Sequence, residues 1–244
     1  MRELSSFEED VEKTVKTLGL EWEPVAVKFS DSADERGDST RKLRVCEAFD
    51  IVRRENVIIN FSKENCICPG GRHFTGLEIL PLETVAAVWT KRHRAYESMG
   101  TALTSVKKQP QPIRRGDIAT LSPLRKVETN PDLVLLFVNP EQADKALGLV
   151  SFGGAEPFTY YPISNICSVI ANALAKDGPE INFLAAHARH LAKWSPNELM
   201  ITLPFKDFEA MVNNIPNSGF GAETRDAQTP KETPKEVGVE MRNL

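Results

Sequence analysis

The sequence contains no uninterrupted apolar run of the roughly 18 residues that a membrane-spanning helix needs. It also lacks an excess of positive charge: the net charge is −4 and the pI is near 5.7. The overall charge therefore provides no general attraction for nucleic acid. The stretch 1–13 is acidic and amphipathic and has none of the features of a signal peptide. We therefore expect a cytoplasmic protein that binds neither membrane nor nucleic acid.

The common catalytic motifs are missing as well. The chain has no serine-hydrolase nucleophile elbow, no HExxH zinc motif, no protein-kinase signature, no phosphate-binding loop and no dinucleotide-binding glycine fingerprint. If the protein is an enzyme, we expect its chemistry to depend on a bound cofactor rather than on a side-chain triad.

Helix and strand patterns alternate through residues 1–221. Helices are predicted over 6–18, 42–54, 82–98, 140–150, 163–175, 180–193 and 205–215, and strands over 24–29, 57–61, 132–139 and 198–204. This mixed order predicts an α/β or α+β fold in one compact domain. Residues 222–244 are polar, contain prolines and lack periodicity, so we expect a flexible tail there.

The four cysteines have the most informative placement, at Cys46, Cys66, Cys68 and Cys167. Cys68 is followed by Pro69-Gly70-Gly71, and the amides of a glycine-rich turn can point at metal-bound sulfur. Three interpretations stay open: ligands of a metal or cluster, a redox pair, and small buried apolar residues. Zinc is less favoured than iron–sulfur because no second knuckle or suitable histidine pair is evident, and a C-x-C disulfide would be strained.

Five segments carry a resemblance to a known family: EPVAVKF, LRVCEAFDIVRREN, CPGGRHFTGLE, PDLVLLFVNPEQADKAL and YYPISNICSVIANAL. In this order, over roughly residues 8–216, they resemble the DUF169 family of uncharacterised archaeal and bacterial proteins. The resemblance implies that cysteines recur in the family at the positions of Cys46, Cys68 and Cys167, and that Cys66 is an addition. It implies no activity, but it favours a common role for the three thiols over accidental burial.

Charged residues near the cysteines are candidates for binding a substrate. Arg72 and His73 follow the glycine pair and are candidates to bind an anionic substrate or to tune the charge of a cluster; the alternative is that they are surface residues at the start of a helix. Arg189 is a further candidate, because the resemblance implies an arginine in this region. The basic run 90–94 is interpreted as a solvated helix face, and the glycine-aromatic loop 151–162 as a structural turn with core aromatics.

The leading hypothesis is a cytoplasmic iron–sulfur protein. Cys46, Cys68 and Cys167 would ligate a [4Fe–4S] cluster, with Cys66 either as the fourth ligand or as a thiol beside an open iron. The cluster would serve electron transfer, sensing, or chemistry on a small substrate. The alternative is a protein that binds a small molecule or a tetrapyrrole-like cofactor and whose cysteines are structural. We expect a small-molecule substrate or a redox protein as partner, and a homodimer from the frequency of such assemblies alone.

Overall fold

One antiparallel sheet organises the protein. The computed structural model describes residues 4–154 and 166–221, and its strands are β1 (Val25–Ser30), β2 (Ile59–Phe61), β3 (Ile118–Pro123), β4 (Leu133–Val138), β5 (Glu180–Asn182) and β6 (Leu199–Pro204). The strand order is β2-β3-β1-β4-β6-β5, and every neighbouring pair is antiparallel. Every residue of β4 is buried, because this central strand is covered on both faces.

Helices pack on both faces of this sheet. Within the described ranges they are α1 (Leu4–Leu18), α2 (Val45–Glu55), α3 (Pro69–Phe74), α4 (Leu82–Ala87), α5 (Met99–Lys107), α6 (Pro140–Ser151), α7 (Ser168–Lys176), α8 (Ala186–Ala192) and α9 (Phe205–Asn214). A π-helical turn, Val88–Arg92, follows α4 directly. In the part of the chain that the structure describes, no helix combines the length and apolarity needed to cross a membrane.

Alternation along the strands divides the core into two layers. Val25 and Val27 of β1 belong to the layer that contains residues of α2, α3, α4, α5, α7 and α8. Ala26 of β1 and Val134 of β4 belong to the other layer, with residues of α1, α6 and α9. The fold is therefore α+β in one domain. This confirms the mixed fold class predicted from the sequence, in its antiparallel form.

The predicted helix 82–98 is wrong beyond its first part. The backbone N–H of His93 donates to the carbonyl oxygen of Val88 at 3.1 Å, which is the i to i+5 spacing of a π-helix. Arg94 then adopts a left-handed conformation with φ 48°, and α5 begins only at Met99. The basic run 90–94 is therefore not one continuous α-helical face.

Two further predictions change around the sheet edges. β3 was not predicted, although buried Ala119 and Leu121 alternate with polar Thr120 and Ser122, a period-two pattern typical of a strand. The predicted helix 180–193 is divided into β5 and α8. β5 pairs with β6, and this partner lies too far along the chain for helical periodicity to reveal it.

Three predictions lie partly or wholly outside the described residues. These are the loop 151–162 from residue 155 onward, the start of the helix predicted over 163–175, and the tail 222–244. The visible part of that helix begins at Ser168, so Cys167 directly precedes α7 instead of lying on its apolar stripe.

A buried arginine anchors the end of α2. The side chain of Arg53 is fully buried, and its guanidinium pairs with the carboxylate of Asp50 at 2.7 Å and with that of Glu198. Its central carbon lies 4.4 Å from the ring centre of Phe137. The indole N–H of Trp194 donates to the same Asp50 at 3.0 Å. These contacts hold α2 against β4 and against the segment that precedes β6.

Candidate functional site

Three of the four cysteines line one pocket. We call it the cysteine pocket, and its lining residues are Arg44, Cys46, Cys68, Gly70, Val88, Trp89, Arg92, His93, Ile166, Cys167 and Leu191. They come from α2, α3, the π-helical turn, the start of α7 and α8. The three thiols are thus brought together by tertiary packing from segments that are far apart in the sequence.

Each of these thiols lies at the N-terminal end of a helix. Cys46 is the second residue of α2, while Cys68 and Cys167 directly precede α3 and α7. The N-terminal end of a helix carries a partial positive charge, which favours a thiolate over a neutral thiol. The local backbone therefore provides some compensation for negative charge on sulfur.

The glycine pair after Cys68 leaves room for the sulfurs. The backbone N–H of Gly71 donates to Sγ of Cys68 at 3.4 Å, so the amide contact expected from the sequence is present. A Cβ atom at Gly71 would lie 2.9 Å from Cγ2 of Val45 and 3.1 Å from Sγ of Cys66. The segment is the first turn of α3, although the sequence predicted only a tight turn.

Cys66 lies beside the cysteine pocket and not in its lining. Its side chain is only 2% exposed, and its thiol donates to the carbonyl oxygen of Cys68 at 3.7 Å. Its backbone forms an isolated parallel bridge with Leu43, just before α2. Cys68, in contrast, is half-buried and lines the pocket. The two members of the C-x-C pair therefore have different environments.

The three buried cysteines have raised pKa values. Burial, and after it the nearby Cys68, raises the pKa of Cys46 to about 12. Burial likewise raises the pKa of Cys66 to about 12. The pKa of Cys167 is raised well above its usual value, first by burial and then by Cys68, Cys46 and Cys66. For Cys46 and Cys167, the cost of desolvating a thiolate therefore exceeds its stabilisation by the helix N-terminus. The electrostatic influence of the cysteines on one another also indicates that they are close together.

The structure places Arg72 and His73 in supporting positions. Arg72 forms an ion pair with Glu78 at 2.7 Å. His73 is 1% exposed, and its Nδ1 accepts a hydrogen bond from the backbone N–H of Leu80 at 3.2 Å. Neither residue is in the pocket lining described above, so their predicted contact with a substrate stays a prediction.

Arg189 is also engaged by the backbone. Its guanidinium donates to the carbonyl oxygens of Phe183 and Glu198, each at 2.7 Å. It ties the two ends of the α8 region together and does not line the cysteine pocket. A substrate contact of Arg189 stays a prediction as well.

The charged residues at the pocket are different ones from those predicted. Arg44, Arg92 and His93 line it, and two of the three belong to the basic run that was interpreted as solvent-facing. The basic run 90–94 was the sequence feature that could have pointed to these residues, but its position at the pocket depends on the π-helical turn. Nothing in the sequence distinguished Arg44 from the other arginines of the chain as a pocket residue.

The arrangement is not a preformed site for a single ion. Across residues 4–154 and 166–221, no group of three or more histidine, cysteine, aspartate or glutamate side chains is arranged to hold a metal ion. The free volume of the cysteine pocket is about 20 Å³, close to that of one water molecule. Leu191, which is 37% exposed, forms part of the wall over the sulfurs.

Comparison with known proteins gives one match. A family model for DUF169, described as an uncharacterised ArCR family, matches residues 13–214 of the 244-residue chain. That range contains α2, α3 and α7, and with them all four cysteines. No curated protein and no solved structure matches the chain.

Proposed function

This chain belongs to the DUF169 family, and we propose that it is an iron–sulfur protein. In the proposal, Cys46, Cys68 and Cys167 ligate a [4Fe–4S] cluster. The observation that carries it is the convergence of these three thiols, from three separate segments, on one pocket. A packing role alone would not require these three cysteines, two buried and one half-buried, to line the same pocket.

The side chains that line the pocket suit a [4Fe–4S] cluster better than they suit a hard cation such as magnesium or calcium. The described residues of the pocket lining include three thiols and no carboxylate, and soft thiolates select iron–sulfur clusters over magnesium or calcium. Amide donors to sulfur stabilise such clusters, and Gly71 donates to Cys68. Arg44 and Arg92 supply positive charge beside the negative charge that cluster thiolates carry.

The absence of a preformed single-ion site is compatible with a cluster. Ligands of one tetrahedral ion crowd around one atom, whereas ligands of a cluster stay farther apart because several irons lie between them. A cluster needs more room than the free volume of about 20 Å³, so the proposal requires wall side chains such as exposed Leu191 to move.

When bound, the cluster would exchange single electrons or, with three thiolates, expose one iron as a Lewis acid. The residues of this chain favour the three-thiolate case, because Cys66 donates to a backbone carbonyl beside the pocket. Trp89 and Ile166 would exclude water from the thiolates. Electron transfer, sensing and chemistry on a small substrate are the roles that such a site can serve.

Anaerobic purification followed by an absorbance scan and assays of iron and acid-labile sulfide tests the proposal. We expect a brown protein with near-stoichiometric cluster, and loss of most of the iron in Cys68→Ser. The matched control is Ser218→Ala, a buried hydroxyl on a segment that does not line the pocket. A parent protein that is folded, colourless and free of iron after anaerobic purification and reconstitution would contradict the proposal.

A second candidate function is the binding of a polar small molecule away from the cysteines. A cavity of about 460 Å³ lies over the strands β1 and β3, and Ser30, Thr120 and Ser122 are among its lining residues. Charged Lys28 and Arg36 also line it, so the cavity favours a polar ligand over a flat apolar tetrapyrrole. Native mass spectrometry of the purified protein tests this candidate, which predicts a retained ligand in parent and Cys68→Ser alike.

A further inference from the structure

Arg92 reaches the cysteine pocket from an unusual backbone segment. Beyond the π-helical bond from His93 to Val88, the N–H of Ala95 donates to the carbonyl of Trp89 at 2.9 Å. These wide turns bring Trp89, Arg92 and His93 to the pocket side together. π-helical turns cost hydrogen-bond geometry and occur frequently at functional sites.

Positive charge at this point is only partly balanced. Arg44 forms an ion pair with Glu47 at 2.8 Å. Arg92 is exposed and makes no ion pair with any residue in the described part of the chain. Burial lowers the pKa of His93, and Arg92 and then Arg44 lower it further, so both guanidinium groups are within electrostatic reach of one ring. Among the described residues, Arg92 is therefore a positive charge at the pocket mouth without an ion-pair partner.

A small oxyanion is the ligand whose chemistry matches this mouth. A guanidinium group presents two parallel N–H donors that fit the paired oxygens of a carboxylate or phosphate. The free volume of the pocket is about that of one water molecule, so the charged group of a ligand would stay at the mouth, beside exposed Arg92. A diffuse basic surface would lack the enclosed apolar wall that Trp89 and Ile166 provide.

We propose that Arg92 and Arg44 bind a small carboxylate or phosphate group at the mouth of the cysteine pocket, as the substrate or ligand of the iron–sulfur site proposed above. The anion lies on the side of Cys68, the least buried of the pocket thiols. Arg92 is its main contact, because Arg44 is already shared with Glu47. This assigns a function to the basic run 90–94, which sequence patterning alone places in solvent.

Isothermal titration calorimetry of the purified chain with inorganic phosphate and, separately, with acetate tests this site. Arg92→Gln should weaken binding about 10- to 100-fold, as expected for loss of a charge-assisted hydrogen bond of about 1.5–3 kcal/mol. Lys91→Gln is the matched control, because it removes the same charge from the adjacent exposed residue, which does not line the pocket. We expect Lys91→Gln to change the affinity by about twofold or less.

Iron assays on the same samples separate this proposal from the iron–sulfur proposal. Binding that depends on Arg92 in a protein that stays iron-free after anaerobic purification and reconstitution would support the anion site and contradict the cluster. An iron-loaded protein that binds neither probe would overturn the anion site alone. Equal losses in Arg92→Gln and Lys91→Gln would also overturn it, since that result indicates a diffuse surface for an acidic partner protein. Circular dichroism melting curves check that both variants are folded.

Discussion

The thiol of Cys66 donates to the carbonyl oxygen of Cys68 across 3.7 Å. One cysteine of the C-x-C pair therefore supports the backbone of the other. Cys68 alone of the two lines the cysteine pocket, where it meets Cys46 and Cys167. Because their environments differ, we expect substitutions of Cys66 and of Cys68 to have different effects.

Cys66→Ala is expected to retain the cluster content of the parent protein. The substitution removes a buried sulfur and one weak contact, so we expect a loss of stability of about 1 kcal/mol. Iron and sulfide assays on anaerobically purified protein measure the first effect, and urea unfolding measures the second. Loss of iron equal to that of Cys68→Ser would instead make Cys66 the fourth ligand.

Cys68 is expected to react first with iodoacetamide at pH 8 in cluster-free protein. The other cysteines are buried, and a pKa of about 12 for Cys46 and Cys66 leaves a thiolate fraction of only about 10⁻⁴ at this pH. Peptide mass spectrometry after timed alkylation gives the order of labelling. Labelling of Cys46 before Cys68 would contradict the burial described above.

Substitution of the two neighbouring glycines should give effects of opposite sign. Gly71→Ala would bring Cβ within 2.9 Å of Val45 and 3.1 Å of the sulfur of Cys66, so we expect destabilisation of about 1–3 kcal/mol. Gly70→Ala meets only Sγ of Cys68, at an ordinary 3.9 Å, and should stabilise α3 by about 0.5–1 kcal/mol. Equilibrium unfolding of both variants provides the comparison. Equal effects would show that crowding near the sulfurs is not the cause.

Arg53→Met should destabilise the protein by about 3–5 kcal/mol, because it removes a fully buried guanidinium and leaves the largely buried carboxylate of Glu198 without its cationic partner. Arg54→Met is the matched control, since Arg54 pairs with the same Asp50 but its side chain is 40% exposed. For the control we expect a loss of about 1 kcal/mol or less. Urea denaturation curves measure both values, and similar losses in the two variants would contradict the role assigned to Arg53.

Stability should fall as the pH drops below about 6.5, partly because of His73. Burial lowers the pKa of His73 in the folded protein, so the unfolded chain binds more protons between the two pKa values. His73→Asn, which keeps an acceptor near Nδ1, should reduce this slope by up to about 1.4 kcal/mol per pH unit. Unfolding free energies between pH 5 and 8 test it. The exposed His190→Asn is the control, and an equal change of slope there would rule out His73 as the cause.

Local sequence patterns were sufficient to predict several helices and strands. Pro140 at the start of α6, with Asn139 and Gln142 exchanging capping hydrogen bonds, defines that helix within a few residues of sequence. The all-apolar run of β4 predicts a buried strand for the same local reason. The short strands β3 and β5 depend on pairing with distant strands, and helical periodicity at residues 180–193 was misleading for that reason.

The sequence by itself determined the mixed fold class, the family and the thiol set, because composition, periodicity and cysteine placement are local properties of the chain. Only the tertiary structure decided which thiols share a pocket, since α2, α3 and α7 bring Cys46, Cys68 and Cys167 together on one face of the sheet. It also placed Arg92 and His93 in the lining of the pocket. A π-helical turn positions these two residues, and such a turn depends on backbone hydrogen bonds that side-chain periodicity does not record.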